Sequence, residues 1–363
     1  MSATGVQIDH VTGDEALLEF VLFADAANAG RPVYWPAIPD LHIPFLKGEG
    51  PEAAGRKVLP LVARSGGRVV ARVAAVIDQR YIDHWDEPLG HVIMFEALPD
   101  STEAVQTLMN EAAAWLRADG LEAARAGFGH SFDMPFLLDS YDSLPPLSTR
   151  QNPDYYHSLL KEARFEAEKG WVDYKIEITS ERLELWQHMV ESGERAGFRI
   201  VPMADVADDR RVPDFDAVFT EAFARHWGWF PHSQAEWAEL FEFTGLIGGL
   251  DVSILAYAGA ECVGAVLGIP DLSGLAVLAD GRELRPDERL NLLGIGVRPS
   301  AQGQGVNLAI AAKCYLQLAK MGNSHVSYTM VVDDNWPSRR TAEKLGGRVC
   351  ANYLVYRRRL GLS

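Results

Sequence analysis

The feature that most constrains this 363-residue chain is that it writes one order of elements twice. Leu61-Val62-Ala63-Arg64-Ser65-Gly66-Gly67-Arg68-Val69-Val70-Ala71 reads as a strand, a tight polar turn and a second strand running to Asp78. Ile254-Leu255-Ala256-Tyr257-Ala258-Gly259-Ala260-Glu261-Cys262-Val263-Gly264 has the same form, and its second strand reaches Asp271. Each pair precedes a strand and a long Ala-rich helix, at 91–96 and 103–119 in the first half and at 290–297 and 306–321 in the second. Apolar residues lie nearly all round both helices, as suits helices packed on a sheet. A helix opened by asparagine then follows in each half. Asn152-Pro153-Asp154-Tyr155-Tyr156 leads to Ala163-Arg164-Phe165, and Asn335-Trp336-Pro337-Ser338 leads to Leu345-Gly346-Gly347. Several matches in one order predict a duplicated unit.

The expected fold is therefore a mixed α/β one (α+β mixed sheet): two tandem units, 1–179 and 180–363, each a central mixed sheet flanked by helices. A helix over 14–29 and a Pro-rich loop over 31–44 precede the first unit. The alternating strand 171–179 is expected to close the first sheet. Ser180 is expected to cap a connecting helix over 181–196.

Bulk properties narrow the class. Hydrophobic residues make up 48% and charged residues 23%, enough apolar content for a large core. Fifty acidic residues against 34 Lys and Arg give a formal charge of −16, which repels phosphate backbones and argues against nucleic acid as a partner. The basic clusters, Arg339-Arg340 and Arg357-Arg358-Arg359, are short. Surplus acid suits a cationic small substrate, though solubility alone accounts for it as well. Cys262, Cys314 and Cys350 are odd in number, widely spaced and set in apolar stretches, so neither disulfides nor a metal site is expected. Met1 to His10 has no basic region followed by an apolar run, and no apolar stretch approaches a membrane span. A cytoplasmic protein without membrane contact is the expectation, and a homodimer is left open.

The chemistry-bearing segment follows the strand over 290–297. A turn with Gly303 and Gly305 leads directly into the helix over 306–321. Strand, glycine turn and helix N-terminus together favour an anion, because the first helical amides lack intrahelical partners and the helix dipole adds positive potential. A dinucleotide fingerprint would need a further glycine where Leu308 stands, and no Gly-Lys-Ser/Thr of a P-loop follows.

Gly296-Val297-Arg298-Pro299-Ser300-Ala301-Gln302-Gly303-Gln304-Gly305-Val306, followed by helix, strand, Asn335-Trp336-Pro337-Ser338 and Glu343-Lys344-Leu345-Gly346, resembles the GNAT family of N-acetyltransferases. The likeness spans roughly residues 198–360 in element order. The whole chain further resembles bacterial tandem-GNAT proteins with a degenerate first copy, through Asn152 to Tyr156 and His226-Trp227-Gly228-Trp229-Phe230. The resemblance implies acetyl-CoA, or another acyl-CoA, as cofactor. Backbone groups of Ile295, Gly296 and Val297 would take the pantetheine arm as an added strand. Amides of Gln302, Gly303, Gln304, Gly305, Val306 and Asn307 would cradle the pyrophosphate, while Asn335 and Ser338 would contact the thioester end. The implied reaction is direct attack of a small-molecule amine on the thioester, with cofactor in the second copy alone. Aligned with the second copy, the turn Pro99-Asp100-Ser101-Thr102-Glu103 has no glycine and carries two carboxylates that would repel pyrophosphate.

The chain departs from the family pattern at three places. Ser300 stands where Arg or Gln is usual, Ala342 where a tyrosine often protonates the departing thiolate, and Gly347 where phenylalanine is usual. Tyr353 on the last strand is the preferred replacement proton donor, and His226, in the aromatic segment, the preferred base or substrate contact. Asp271, His325 and Tyr328 are further candidates. Trp227, Trp229 and Trp237 read equally as a pocket wall or as core. Two competing readings are a CoA-binding protein without turnover and an aminoacyl transferase of the peptidoglycan cross-bridge type; the acidic charge and the phosphate turn weigh against the latter.

Overall fold

The computed structural model describes residues 5–147, 149 and 151–361, so the first four residues of the N-terminal segment discussed above lie outside the described residues. The first half contributes β1 (Gln7–His10), β2 (Val33–Tyr34), β3 (Arg56–Ser65), β4 (Arg68–Asp78), β5 (Leu89–Ala97), β6 (Ala123–Ala126), β7 (Phe136–Leu137) and β8 (Glu166–Glu177). The second contributes β9 (Phe198–Pro202), β10 (Ile254–Ala258), β11 (Glu261–Ile269), β12 (Val277–Leu278), β13 (Leu292–Val297), β14 (His325–Val332) and β15 (Arg348–Arg359). Helices α1 (Asp14–Asn28), α2 (Pro39–Leu46), α3 (Gln79–Trp85), α4 (Thr102–Ala118) and α5 (Tyr156–Glu162) belong to the first half. The second has α6 (Ser180–Arg195), α7 (Asp208–Phe223), α8 (Gln234–Gly245), α9 (Gly249–Val252), α10 (Val306–Lys320) and α11 (Trp336–Lys344).

The duplicated order is present, but the mixed sheet is a single nine-stranded one that takes strands from both halves, with β5 and β6 its parallel pair, while β9–β10–β11–β13 form a second, wholly antiparallel sheet. β3–β4–β5 and β10–β11–β13 are the two antiparallel meanders, and α4 and α10 are the long apolar helices behind them. Helix α10 carries Ala309, Ile310, Ala311 and Ala312 fully buried. Small residues let it sit close to α6, where a Cβ on Gly193 would come within 2.8 Å of Ala309 Cβ.

The closing strands depart from the expectation. β8 does not close the first sheet. It lies between β15 and β14, and the order runs β1-β3-β4-β5-β6-β15-β8-β14, with β7 also pairing with β15. Each half has thus given its last strand to the other. β15, the chain's end, pairs Tyr356 with Ala126 and Arg359 with Ala123 on β6. β8 pairs Ile176 with Val326 and Trp171 with Val332 on β14. The cores are exchanged with the strands. Val172, Tyr174 and Ile176 pack with the second half's α10 residues, whereas Tyr356 and Leu360 pack with the first half's α4 residues. Alternating hydrophobicity correctly marks 171–179 as a strand, but a local pattern does not say which sheet it joins.

A bulge sits in the strand that receives β8. Pairing shifts between Tyr328 and Val331, and Met330 there has φ 56°. Its N–H donates to Asp173 Oδ1 at 2.6 Å, and Tyr353 Oη donates to Asp173 Oδ2 at 2.8 Å. One buried carboxylate therefore ties together the two exchanged strands and the bulge.

Each half lacks, on its own, the strand that completes its core and covers an edge. Fragments 1–179 and 180–363 expressed separately are expected to show no cooperative thermal unfolding by circular dichroism, and co-expression should restore it. A cooperative melt from either fragment alone would contradict the exchange as a folding requirement.

Candidate functional site

The site begins where β13 and β14 part. These neighbours share no ladder. At their near end Thr329 Oγ1 accepts from Leu293 N–H at 3.1 Å and donates to Leu293 O at 2.9 Å, and Asn291 Oδ1 accepts from Ser327 N–H at 2.8 Å. Beyond Leu293 the strands diverge. Gly296 lies opposite Ala265 and Arg298 N–H donates to Val263 O, so by antiparallel alternation the backbone of Ile295 and Val297 faces the opening. Gly296 turns its peptide groups toward β11 instead. Its lack of a side chain admits α7, since a Cβ there would stand 3.1 Å from Ala222 Cβ.

At the end of β13 the turn delivers the N-terminus of α10. Gly303 has φ 78° and Gly305 φ 81°, a region that L side chains disfavour. The first bond closing onto the helix is Ala309 N–H to Gly305 O at 3.1 Å, so the amides of Val306, Asn307 and Leu308 have no intrahelical acceptor. No acidic residue lies in the first turn of α10. Two cations on α11, Arg340 and Lys344, line the same opening, and neither has an ion-pair partner among the described residues. Helix N-terminus, glycine turn and two unpaired cations together fit a diphosphate. The signal for Lys344 lay in the Glu343-Lys344-Leu345-Gly346 segment, but its charge role was missed.

From this mouth a cavity of about 990 Å³ runs inward between the halves. Ile295, Gly296, Val297, Gln302, Gly303, Gly305, Asn307, Asn335 and Ser338 all line it. Gln304 and Val306 do not: Gln304 Nε2 donates back to Ser300 O at 3.0 Å, and the Val306 side chain is buried in the core. Asn335 caps α11 through Ser338 N–H at 3.2 Å. Asn307 Nδ2 donates to Thr341 Oγ1 at 2.8 Å.

His226 is on the cavity wall, beside Trp171 and Phe223, with its Nδ1 buried and without a hydrogen bond. Burial lowers its pKa and keeps the ring neutral. Trp229 and Trp237 also line the cavity, whereas Trp227 stacks against the Arg125 guanidinium, 4.5 Å from its ring centre. Tyr353 is placed differently from the expectation. It is 1% exposed, lies off the cavity wall, and commits its hydroxyl to Asp173. The tyrosine brought to the cavity is Tyr328, whose hydroxyl is 3.0 Å from Ser338 Oγ. Burial pushes its pKa up to about 12. Asp271 begins a turn, accepting from Ser273 N–H at 2.8 Å, and His325 pairs with Ser324.

The corresponding edge in the first half is closed by side chains. Ala97 N–H donates to Tyr156 Oη at 3.0 Å, and Tyr155 Oη donates to Ala97 O at 2.8 Å. Tyr156 Oη also donates to the Glu96 carboxylate at 2.7 Å. The segment Asn152 to Tyr156 thus fills the edge that β13 leaves open.

The cavity's inner end was not foreseen. It is built by the first half, from Glu52, Phe128, His130, Ser131 and Met134, and by His232 and Glu236 of the second. Arg56 donates to Asp78 at 2.6 Å, to Glu236 at 2.9 Å and to Glu52 at 3.1 Å. Arg80 grips Glu236 at 2.7 and 3.0 Å, and Ser233 N–H donates to it at 2.5 Å. Burial raises the Glu236 pKa, but Arg80, that amide and Arg56 overcome it and hold the group at about 2. Glu52 behaves oppositely: burial pushes it up to about 7 against the pull of Arg56.

No protein-family model matches the chain. Among curated proteins it is 23% identical over 319 residues to the bacterial ceramide synthase of Caulobacter vibrioides (strain NA1000 / CB15N), covering 82% of this chain and 83% of that protein. It is 19% identical over 219 residues to protein YghO of Escherichia coli (strain K12), covering 58% and 55%. Among solved structures, a tandem GNAT protein from the clavulanic acid biosynthesis pathway superposes with a TM-score of 0.59 at 14% identity, covering 99% of this chain and all of that one. The GCN5-related N-acetyltransferase of Sphaerobacter thermophilus gives 0.56 at 12% identity, covering 99% and 96%. The glucosamine N-acetyltransferase region of a fungal multi-domain GH3 β-N-acetylglucosaminidase gives 0.61 at 13%, and this chain spans only 38% of that protein. The chain therefore has the GCN5-related N-acetyltransferase fold in its tandem form.

Glu52 makes a pH dependence that can be measured. Its carboxyl titrates near 7 in the folded protein and near the ordinary 4.5 when unfolded. Below about pH 4 both states are protonated and it costs nothing. As pH rises toward 7 the unfolded state ionises first, so folding stability is lost across that window and the loss is complete above it. Glu52→Gln removes the penalty. It should raise Tm relative to wild type at pH 8, with the difference shrinking toward zero near pH 4, as read by differential scanning fluorimetry.

Proposed function

We propose that the protein transfers an acyl group from an acyl-CoA to an amine, with CoA bound by the second copy alone. The observation that carries this reading is the glycine turn at the N-terminus of α10, free of carboxylates and flanked by Arg340 and Lys344, opening into the cavity along the unpaired edge of β13. Bound there, acyl-CoA supplies an activated thioester. The turn amides and the two cations hold its phosphates, and the Ile295 and Val297 backbone positions its pantetheine arm. His226, which lines the cavity and is kept neutral by burial, accepts the amine proton. Tyr328, paired with Ser338, holds a proton at the thiol end, where Ala342 leaves no hydroxyl. Nothing comparable is offered by the first half, whose Tyr155 and Tyr156 occupy the strand edge.

The bond formed is the one expected of acetyl transfer to a small amine, but the space supports larger partners. Ligand sites span roughly 300–1,000 Å³, and about 990 Å³ lies at the upper end of that range. Part of that space takes the pantetheine arm, and beyond it the walls of Phe128, Trp171, Phe219, Phe230 and Trp237 suit an apolar chain. The relative called a bacterial ceramide synthase supports the same extension, since a ceramide is an N-acylated long-chain amine. A long acyl chain, a long-chain amine, or both, is the reading that the aromatic walls favour.

Long-chain acyl-CoA should raise the Tm of wild type, and Gly305→Glu should abolish the shift. A wild type insensitive to every acyl-CoA would overturn the proposal. Lys344→Glu should weaken CoA binding by about tenfold at low salt and less at high salt, as a screened phosphate contact predicts. In thiol-release assays, Tyr328→Phe should lower kcat by about a hundredfold with little change in acyl-CoA affinity, the size expected for loss of a general acid.

A further inference from the structure

We infer that the inner end of the cavity is a headgroup site for the acceptor, in which Glu52 takes the arriving ammonium before it yields a proton to His226 and attacks, and His130 donates a hydrogen bond to an oxygen of the same molecule. The acceptor class is thus an amine that carries a hydroxyl or carbonyl oxygen near its nitrogen. This rests on the acyl-transfer reading and adds to it what the degenerate copy does: it recognises the acceptor.

The tautomer of His130 supplies the first observation. Its ring is 1% exposed, and Nδ1 accepts the N–H of Phe132 at 3.2 Å. Burial holds its pKa well below the ordinary value, so the ring is neutral and the single proton sits on Nε2. That Nε2 is buried without a partner, on a side chain that lines the cavity. A buried donor left unpaired is destabilising. A ligand oxygen would recover that cost. Phe45 and Phe230, with ring centres 4.8 and 6.3 Å away, fix the ring in place.

The second observation is the contrast between the two cavity carboxylates. Glu236 is consumed by Arg80, Arg56 and the Ser233 amide. Glu52 accepts Ser131 Oγ at 3.1 Å on one oxygen and Arg56 Nη1 at 3.1 Å on the other, and a carboxylate has about four acceptor positions. Glu52 therefore keeps acceptor capacity, and it lines the cavity. Ser131 follows His130 in sequence, so the free acceptor and the free donor are neighbours and would meet one ligand headgroup.

Polarity along the cavity agrees. Arg340 and Lys344 stand at the phosphate mouth, and Glu52 and the orphan donor at the far end. An amine entering with its cation toward Glu52 points its chain along the aromatic walls. The stability that Glu52 forfeits above pH 7 is what a binding carboxylate held without its ligand entails.

The test uses the full chain with palmitoyl-CoA, and sphinganine or octadecylamine as acceptor probes, which differ in hydroxyl groups on the same length of chain. Wild type is expected to use sphinganine at least about tenfold better in kcat/KM, the scale of a satisfied buried donor. Glu52→Gln should raise KM for both amines about tenfold, leaving the palmitoyl-CoA Tm shift unchanged, as loss of a charged hydrogen bond predicts. His130→Phe should erase the preference for sphinganine, and His130→Gln, which keeps a donor, should restore part of it. Equal use of the two amines, an unaltered KM in Glu52→Gln, or a palmitoyl-CoA Tm shift without any acylation of sphinganine would each overturn the inference. Absence of the Tm shift itself would instead sink the acyl-transfer reading on which it rests.

Discussion

Everything functional here follows from two neighbouring strands that do not pair. β13 and β14 are pinned at one end by Thr329 and Asn291 and separate beyond Leu293. Strand backbone left without a partner is costly inside a protein unless something supplies donors and acceptors. The Ile295 and Val297 peptide groups are therefore open to an extended ligand of the kind proposed above, with Gln302 Nε2 donating to Val297 O at 3.1 Å at the end of the strand. The glycine turn and the N-terminus of α10 lie where the divergence is widest. The proposed phosphate site and strand-like arm site would thus share one geometric origin.

The second constraint is the exchange of closing strands. β8 and β15 lie side by side, so Trp171 on β8 reaches the cavity of the second half, with Phe128 4.3 Å from it in ring-centre distance. Strand exchange is what brings the first half's loops over the second half's opening. The salt-bridge group of Arg56, Asp78, Arg80 and Glu236 then fixes the two halves where those loops meet α8. Buried ion pairs add little net stability, but they specify one arrangement over others. Here the arrangement they specify is the cavity's inner wall.

Much of this was legible in the sequence, and the limit has a physical cause. The duplicated order, the glycine turn and Asn335 are written in short contiguous segments, so local periodicity and turn chemistry find them. The pairing of β8 with β14 is set by contacts more than a hundred residues apart, and no segment of the alternating strand records its partner. Tyr353 failed as a cavity residue for a related reason. A strand's two faces can be told apart by alternation, but whether a face meets a cleft or a buried aspartate depends on Asp173, far away in the chain. Glu52 and His130 carry no motif. Glu52 is one of many acidic residues in an acidic chain, distinguished only by its burial.

The first half can be understood as a copy that exchanged one role for another. Its phosphate turn carries Asp100 and Glu103, and its strand edge is stopped by Tyr155 and Tyr156. Under the proposed function those residues leave it without a cofactor site, while the fold around them is packed, with Phe95, Phe136 and Tyr156 all buried. On the cavity wall the first half nonetheless keeps a buried histidine donor and a carboxylate that burial disfavours. Both features cost stability, and both face the cavity of the other copy. Costs of that kind persist where a ligand repays them, which is the role we propose for Glu52 and His130.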